Sequence, residues 1–155
     1  MPLLPAGIAA PHFSLPDQDG ITRELSQYRG KWVLVYFYPK DDTPGCTVEA
    51  CSLRDSFAEL HKKNCVVLGV SADSGESHKL FSGKYELPFP LLADTDRDVI
   101  EQYGAVKPKK TPESSGIARV SYLIDPEGII AKVYPDVVPE THPEEVMADL
   151  ERGGD

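Results

Sequence analysis

Lys31-Trp32-Val33-Leu34-Val35-Tyr36-Phe37-Tyr38-Pro39 is the stretch that decides the fold. Trp, Val, Leu, Tyr and Phe follow one another without polar alternation, the pattern of a central strand buried on both faces of a sheet. Pro39 ends it, because proline has no N–H to give to a ladder. Downstream, Lys40-Asp41-Asp42-Thr43-Pro44-Gly45 leads to Cys46. From there Ala50, Leu53, Phe57, Leu60 and His61 recur at helical spacing, which predicts a helix from Cys46 to about Lys63, stopped by Asn64. Cys46 therefore stands at a strand-to-helix junction, where unpaired backbone N–H groups and the helix dipole favour negative charge. A thiol required to react as a thiolate belongs in such a place.

Outward from this junction the chain keeps alternating. Cys65 to Ser71 is a second apolar run of strand length, and Ala72-Asp73-Ser74-Gly75 turns into a helix from about Glu76 to Tyr85, with Ser74 as N-cap. Pro88 to Asp94 is a short extended piece, followed by a short helix from Arg97 to Tyr103 closed by Gly104. Residues 105–117 lack periodicity and read as a mobile surface loop. Arg119 to Ile124 and Ile129 to Tyr134 flank the turn Asp125-Pro126-Glu127-Gly128, a hairpin signal. Thr141-His142-Pro143-Glu144 has the form of a capping box opening a last helix to about Arg152. On the N-terminal side, Pro11 to Leu15 and Ile21 to Leu25 flank Asp17-Gln18-Asp19-Gly20 as a short hairpin, and Gly30 suits a positive-φ stop.

Strands alternating with helices imply parallel, right-handed crossovers, and the late hairpin adds antiparallel neighbours. The expected fold is α/β of thioredoxin-like type: a central mixed β-sheet flanked by helices, with an N-terminal β-hairpin, in a single domain over residues 1–155.

Composition narrows the function classes. The net charge of −9 argues against nucleic acid or an anionic membrane surface as partner, and Lys107-Pro108-Lys109-Lys110 is too short a basic cluster to reverse that. No apolar run reaches the roughly 18 residues needed to cross a bilayer. Met1 to Ala10 lacks a basic start and is broken by Pro2 and Pro5, so no signal peptide is read and a cytoplasmic protein is expected. Three cysteines do not make an extracellular disulfide framework. Cys46 and Cys51 form a close pair, whereas Cys65 beside Val66-Val67-Leu68 reads as a small buried apolar residue. Five residues along one ideal helix separate Cα atoms by about 8–9 Å, beyond the roughly 7 Å that a disulfide tolerates. Either the pair never bonds, or the first helical turns unwind when it does.

The segment also resembles a known family. Pro39-x-x-x-Thr43-x-x-Cys46 is similar to the active-site pattern of the peroxiredoxins, thiol peroxidases that reduce hydroperoxides. The longer run from Tyr36 to Thr47, with Glu49-Ala50-Cys51, resembles the Q-type branch, also called bacterioferritin comigratory protein. The likeness continues through Gly69-Val70-Ser71, His78 to Asp94 and Arg119 to Asp125, and so covers most of the chain; the 105–117 loop departs from it.

The resemblance implies roles. Cys46 would be the peroxidatic nucleophile, becoming a sulfenic acid. Thr43 would orient peroxide and sulfur, and Pro39 would shield the sulfur from water. Arg119 would supply fixed positive charge for the thiolate and for the oxygen of the transition state. Cys51 would resolve the sulfenic acid as an intramolecular disulfide, reset by thioredoxin or a similar dithiol reductase. Substrates would be hydrogen peroxide and organic hydroperoxides, with no metal or other cofactor, and an internal resolver suits a monomer.

Plainer readings stand beside these. Thr43 also fits a helix cap, Glu49 either favours the helix start electrostatically or helps to position Arg119, and Asp41 and Asp42 read as solvated turn residues. His12, His61, His78 and His142 are scattered, and a zinc site at His61 and Cys65 is disfavoured by the helix end between them. Two other functions remain open at this level: a thioredoxin-like dithiol–disulfide oxidoreductase, against which the lack of Cys-x-x-Cys counts, and a non-enzymatic peroxide sensor or holdase.

Overall fold

The computed structural model describes residues 2–109, 111–112 and 114–153. Ser14–Pro16 (β1) and Thr22–Glu24 (β2) form the N-terminal hairpin, and Leu25–Tyr28 is a short 3-10 turn. Then come Trp32–Phe37 (β3), Pro44–Asp55 (α1), Phe57–Lys62 (α2), Cys65–Ser71 (β4), Gly75–Tyr85 (α3), Leu91–Ala93 (β5) and Asp98–Gln102 (α4). Val120–Ile124 (β6), Ile130–Tyr134 (β7) and His142–Gly153 (α5) complete the chain. The main sheet has the order β5-β4-β3-β6-β7. β3, β4 and β5 run parallel, while β6 lies antiparallel to β3 and β7 antiparallel to β6. This is the thioredoxin-like mixed sheet expected from the alternation of strands and helices.

β3 occupies the centre for the reason its composition suggests. Leu34 and Tyr36 enter the core shared with α1, α2, α3 and α5, while Val33, Val35 and Phe37 enter the opposite core with α4 and the N-terminal hairpin. A strand covered on both faces has no place for a polar side chain. Gly69 of β4 sits opposite Tyr36 because nothing larger fits: a Cβ there would stand 2.8 Å from the Tyr36 ring and 2.9 Å from Leu91.

Three expectations are corrected. The single helix from Cys46 to Lys63 is two: α1 begins earlier, at Pro44, and ends at Asp55, and Ser56 (φ −101°, ψ 5°) breaks the path before α2. Leu53 of α1 and Leu60 of α2 are both fully buried. Residues 105–117 are not surface throughout. Ala105 and Ile117 are fully buried, Val106 pairs with Ile117, and the Ala118 N–H donates to the Ala105 carbonyl at 2.9 Å. Apolar residues at both ends of a polar stretch anchor it in the core, and Lys110 of its basic run lies outside the described residues. Asp41 is buried, not solvated; its surroundings are described with the site.

Candidate active site

Thr43 immediately precedes α1, and Pro44 is its first residue. Proline suits that place, since its φ is preset and its missing N–H would have no helical acceptor. The first intrahelical bond runs from the Thr47 N–H to the Thr43 carbonyl, at 2.8 Å. The N–H groups of Gly45 and Cys46 precede it and have no helical partners, which makes the helix start favourable to an anionic sulfur.

Arg119 reaches this helix start across the sheet. β6 pairs antiparallel with β3, Val120 opposite Phe37, so the residue before Val120 arrives at the end of β3 from which the Pro39–Thr43 segment departs. Both terminal nitrogens of Arg119, Nη1 and Nη2, lie 3.5 Å from the Cys46 Sγ. Nη1 also donates to Glu49 Oε1 at 2.8 Å. Cys46 and Glu49, three residues apart on α1, are both buried. Burial works against the charge on Arg119, but the neighbouring Cys46 and Glu49 hold the guanidinium above its ordinary value. Burial pushes the Glu49 carboxyl up to about 7, against the lowering influence of Arg119, and its Oε2 has no hydrogen-bond partner. Of the two readings of Glu49, the positioning one matches the contact.

Gly45 is what allows the arginine so close. A Cβ on residue 45 would stand 2.8 Å from Arg119 Nη2.

The Thr43 hydroxyl does not cap the helix; it donates to the Lys40 carbonyl at 2.8 Å. Its oxygen lone pairs are left to accept a bond from a substrate O–H. Pro39 is half-buried at the end of β3 and borders a cleft of about 240 Å³ with Lys40, Asp73 and Arg97. A second cleft, about 330 Å³, borders Arg119 and is lined by Ala118, Pro135, Val137 and Val138 together with the charged Lys107 and Asp136. Cys51 is half-buried and unbonded, on the same continuous α1 as Cys46. Cys65 stands apart in β4 opposite Trp32, where burial pushes its thiol up to about 12. The fold thus brings Cys46, Arg119 and Glu49 into contact, places Thr43 and Pro39 on the segment leading to the sulfur, and holds Cys51 away within the helix.

A second cluster escaped the sequence reading. The Asp41 carboxylate accepts from Tyr38 Oη at 2.6 Å and Ser77 Oγ at 2.8 Å, and lies 2.7 Å from His78 Nδ1. The Asp41 N–H donates to Asp73 Oδ2 at 2.9 Å, and Ser71 Oγ donates to the same oxygen at 2.6 Å. His78 shares its helix face with Phe81, and a histidine at an apolar-face position was the one available signal. Among the described residues, Asp41, Asp73 and His78 also bring metal-type donor atoms within 4.8 Å of one another. Those atoms already bond to each other and to Tyr38, Ser71 and Ser77, so they form a linked network and not an open cage. Asp42, by contrast, is exposed and held by Lys84 and the Tyr85 hydroxyl at 2.8 and 2.9 Å.

Comparison with known proteins agrees with this geometry. The AhpC/TSA family profile matches residues 6–133. Peroxiredoxin Bcp of Escherichia coli K12 is 47% identical over 146 residues, 93% of this chain and 94% of that one. A crystal structure of a cysteine-to-serine mutant of Xylella fastidiosa PrxQ superposes with a TM-score of 0.93 at 31% identity, covering 100% of both chains. The bacterioferritin comigratory protein of Xanthomonas campestris, studied for its alkyl peroxide reduction activity, gives a TM-score of 0.88 at 32% identity over 97% of this chain and 100% of that one. With the motif, the fold and the relatives in agreement, the chain belongs to the AhpC/TSA family of peroxiredoxins, in the Bcp and peroxiredoxin Q branch.

Proposed function

We propose that this chain reduces hydrogen peroxide and organic hydroperoxides through Cys46, with Cys51 as its internal resolving thiol and thioredoxin or a similar dithiol protein as reductant. The observation that carries the reading is the guanidinium fork of Arg119, 3.5 Å from the Cys46 sulfur through both nitrogens. It stabilises the thiolate before reaction and negative charge on the departing oxygen during it. The sulfur attacks the terminal peroxide oxygen, the S–O bond forms as O–O breaks, and the alkoxide or hydroxide takes up a proton to leave as alcohol or water. The Thr43 oxygen accepts the peroxide O–H, Pro39 screens the sulfur from water, and the cleft beside Arg119 offers Ala118, Pro135, Val137 and Val138 to an organic substituent alongside the charged Lys107 and Asp136.

Cys51 then attacks the sulfenic sulfur and releases water. Both cysteines lie in one helix, Pro44–Asp55, whose ideal geometry keeps their Cα atoms about 8–9 Å apart. Bonding therefore requires the first turns of α1 to unwind, a local opening that precedes recycling by thiol–disulfide exchange. An internal resolver needs no second subunit, so the working unit is a monomer. No helix among the described residues is long and apolar enough to cross a membrane, and the proposed setting is the cytoplasm, where dithiol reductants operate.

The test is intact mass and peptide mapping after one equivalent of hydrogen peroxide. Loss of two hydrogens mapped to a Cys46–Cys51 link is expected, and Cys51→Ser should stop after one turnover with one oxygen added at Cys46. A Cys51→Ser protein that cycles normally with thioredoxin overturns the resolving role. Continuous peroxide consumption separates an enzyme from a one-shot sensor, and inactivity toward insulin disulfides separates it from a general oxidoreductase.

A further inference from the structure

Asp41 lies between the two residues assigned above to substrate, Pro39 and Thr43, and the backbone of this short segment is unusual. Asp42 has φ +57°, a left-handed conformation that non-glycine residues hold only where the surroundings enforce it. The enforcement comes chiefly from α3. Ser77 and His78 bind the Asp41 carboxylate, Lys84 and Tyr85 bind Asp42, and Asp73, just before α3, holds the Asp41 N–H.

His78 is held through both ring nitrogens. His78 Nε2 lies 2.9 Å from the Leu92 carbonyl oxygen, which only accepts, so Nε2 carries a hydrogen. Nδ1 lies 2.7 Å from Asp41 Oδ2 and 3.4 Å from Tyr38 Oη, and the same Asp41 carboxyl group receives the Tyr38 and Ser77 hydroxyls. Asp41 and His78 thus form a hydrogen-bonded pair, buried on both sides. A buried pair with matched hydrogen bonds has one geometry, whereas surface pairs have many.

We propose that Asp41 and His78 are positioning residues for peroxide: their buried pair, anchored on α3, fixes the segment that presents Pro39 and Thr43 to the substrate. The inference rests on the peroxidase reading of Cys46. It explains how one side of the site keeps its shape through the cycle. α1 must open for Cys51 to reach Cys46, but the Pro39–Thr43 segment hangs from α3 and need not follow. When α1 refolds after reduction, it meets a substrate pocket already formed.

The test compares two reactions of the same sulfur in wild type, Asp41→Asn and His78→Asn. Single-turnover oxidation by hydrogen peroxide needs the positioned segment; alkylation of Cys46 by iodoacetamide, slowed in every variant alike by its burial and followed by peptide mass, needs the thiolate but not that segment. Misplacement of about 1 Å near reacting atoms costs up to a hundredfold, and a partial release of one anchor is expected to slow peroxide about tenfold. Alkylation of Cys46 should stay within about twofold of wild type, since Arg119 and the helix start are untouched. If either variant fails to fold, Ser77→Ala, which removes one donor and leaves the pair intact, should give the same split at about threefold. Equal slowing of both reactions overturns the proposal, because it places the effect on the thiol. Unchanged peroxide rates with a lowered melting temperature overturn it too, leaving the pair a structural role alone. A wild-type protein inert to peroxide overturns the peroxidase reading as well, and so distinguishes the two failures.

Discussion

Gly45→Ala sets a methyl group against the tip of Arg119. The new Cβ would stand 2.8 Å from Nη2 and 3.6 Å from Cζ, while ordinary contact begins at 3.4 Å, so the guanidinium must retreat by 3.4 − 2.8 = 0.6 Å. The atom in the way is the far end of a flexible side chain, so the helix survives and the arginine moves. Taken along the line to the sulfur, the retreat lengthens the 3.5 Å Nη–Sγ contacts to about 4.1 Å. At an effective dielectric constant of about 20 the attraction falls from about 4.7 to about 4.0 kcal/mol. That loss of about 0.7 kcal/mol slows peroxide attack about threefold. Stability moves the other way or holds, since Gly→Ala within a helix adds roughly 0.5–1 kcal/mol. The assay is stopped-flow oxidation of the reduced protein, repeated in an Arg119→Met background where there is no guanidinium to displace. A threefold loss that persists in that background, or a rate unchanged by Gly45→Ala alone, refutes the reasoning.

Two further outcomes follow from the burial of Glu49 and Cys65. The Glu49 carboxyl is raised from 4.5 to about 7, so the folded protein holds that proton more tightly than the unfolded one. Its stabilising effect is complete below pH 4.5 and disappears as pH rises through about 7, a change of about 3 kcal/mol. Urea melts should therefore show wild type losing that much relative to Glu49→Gln between pH 4.5 and pH 7.5, and a difference that stays flat would mean Glu49 is ionised throughout. The Cys65 thiol, pushed up to about 12, is roughly one part in ten thousand thiolate at pH 8. Iodoacetamide at that pH should spare it until denaturant is added while labelling Cys51, and equal labelling in the native protein would contradict its burial.

The features that the chain declares locally are those governed by neighbours in sequence. An unbroken apolar run such as Trp32–Phe37 has one kind of place in a fold, between two layers of helices, and it became the central strand. Cys65–Ser71 formed β4 with the expected bounds, the Ser74 side chain caps α3 through the Ser77 N–H, and Asp125–Gly128 turns the last hairpin. The position of Cys46 near the start of a helix was readable for the same reason, as was the motif around it.

Tertiary structure decided the electrostatics. Arg119 lies 73 residues from Cys46 in the chain, and only the antiparallel seating of β6 on β3 sets its guanidinium on the sulfur. Glu49 had two readings until that arginine arrived on its Oε1. Asp41 looked like any turn aspartate, because nothing within a few residues announces that Ser77 and His78 of a later helix will close over it. Periodicity reports which side of an element faces the core; the partner of a buried charge depends on how distant elements pack, and one sequence pattern serves many packings. The place of Cys46 at a helix start was therefore written along the chain, and the charges that surround it were settled only when the sheet closed.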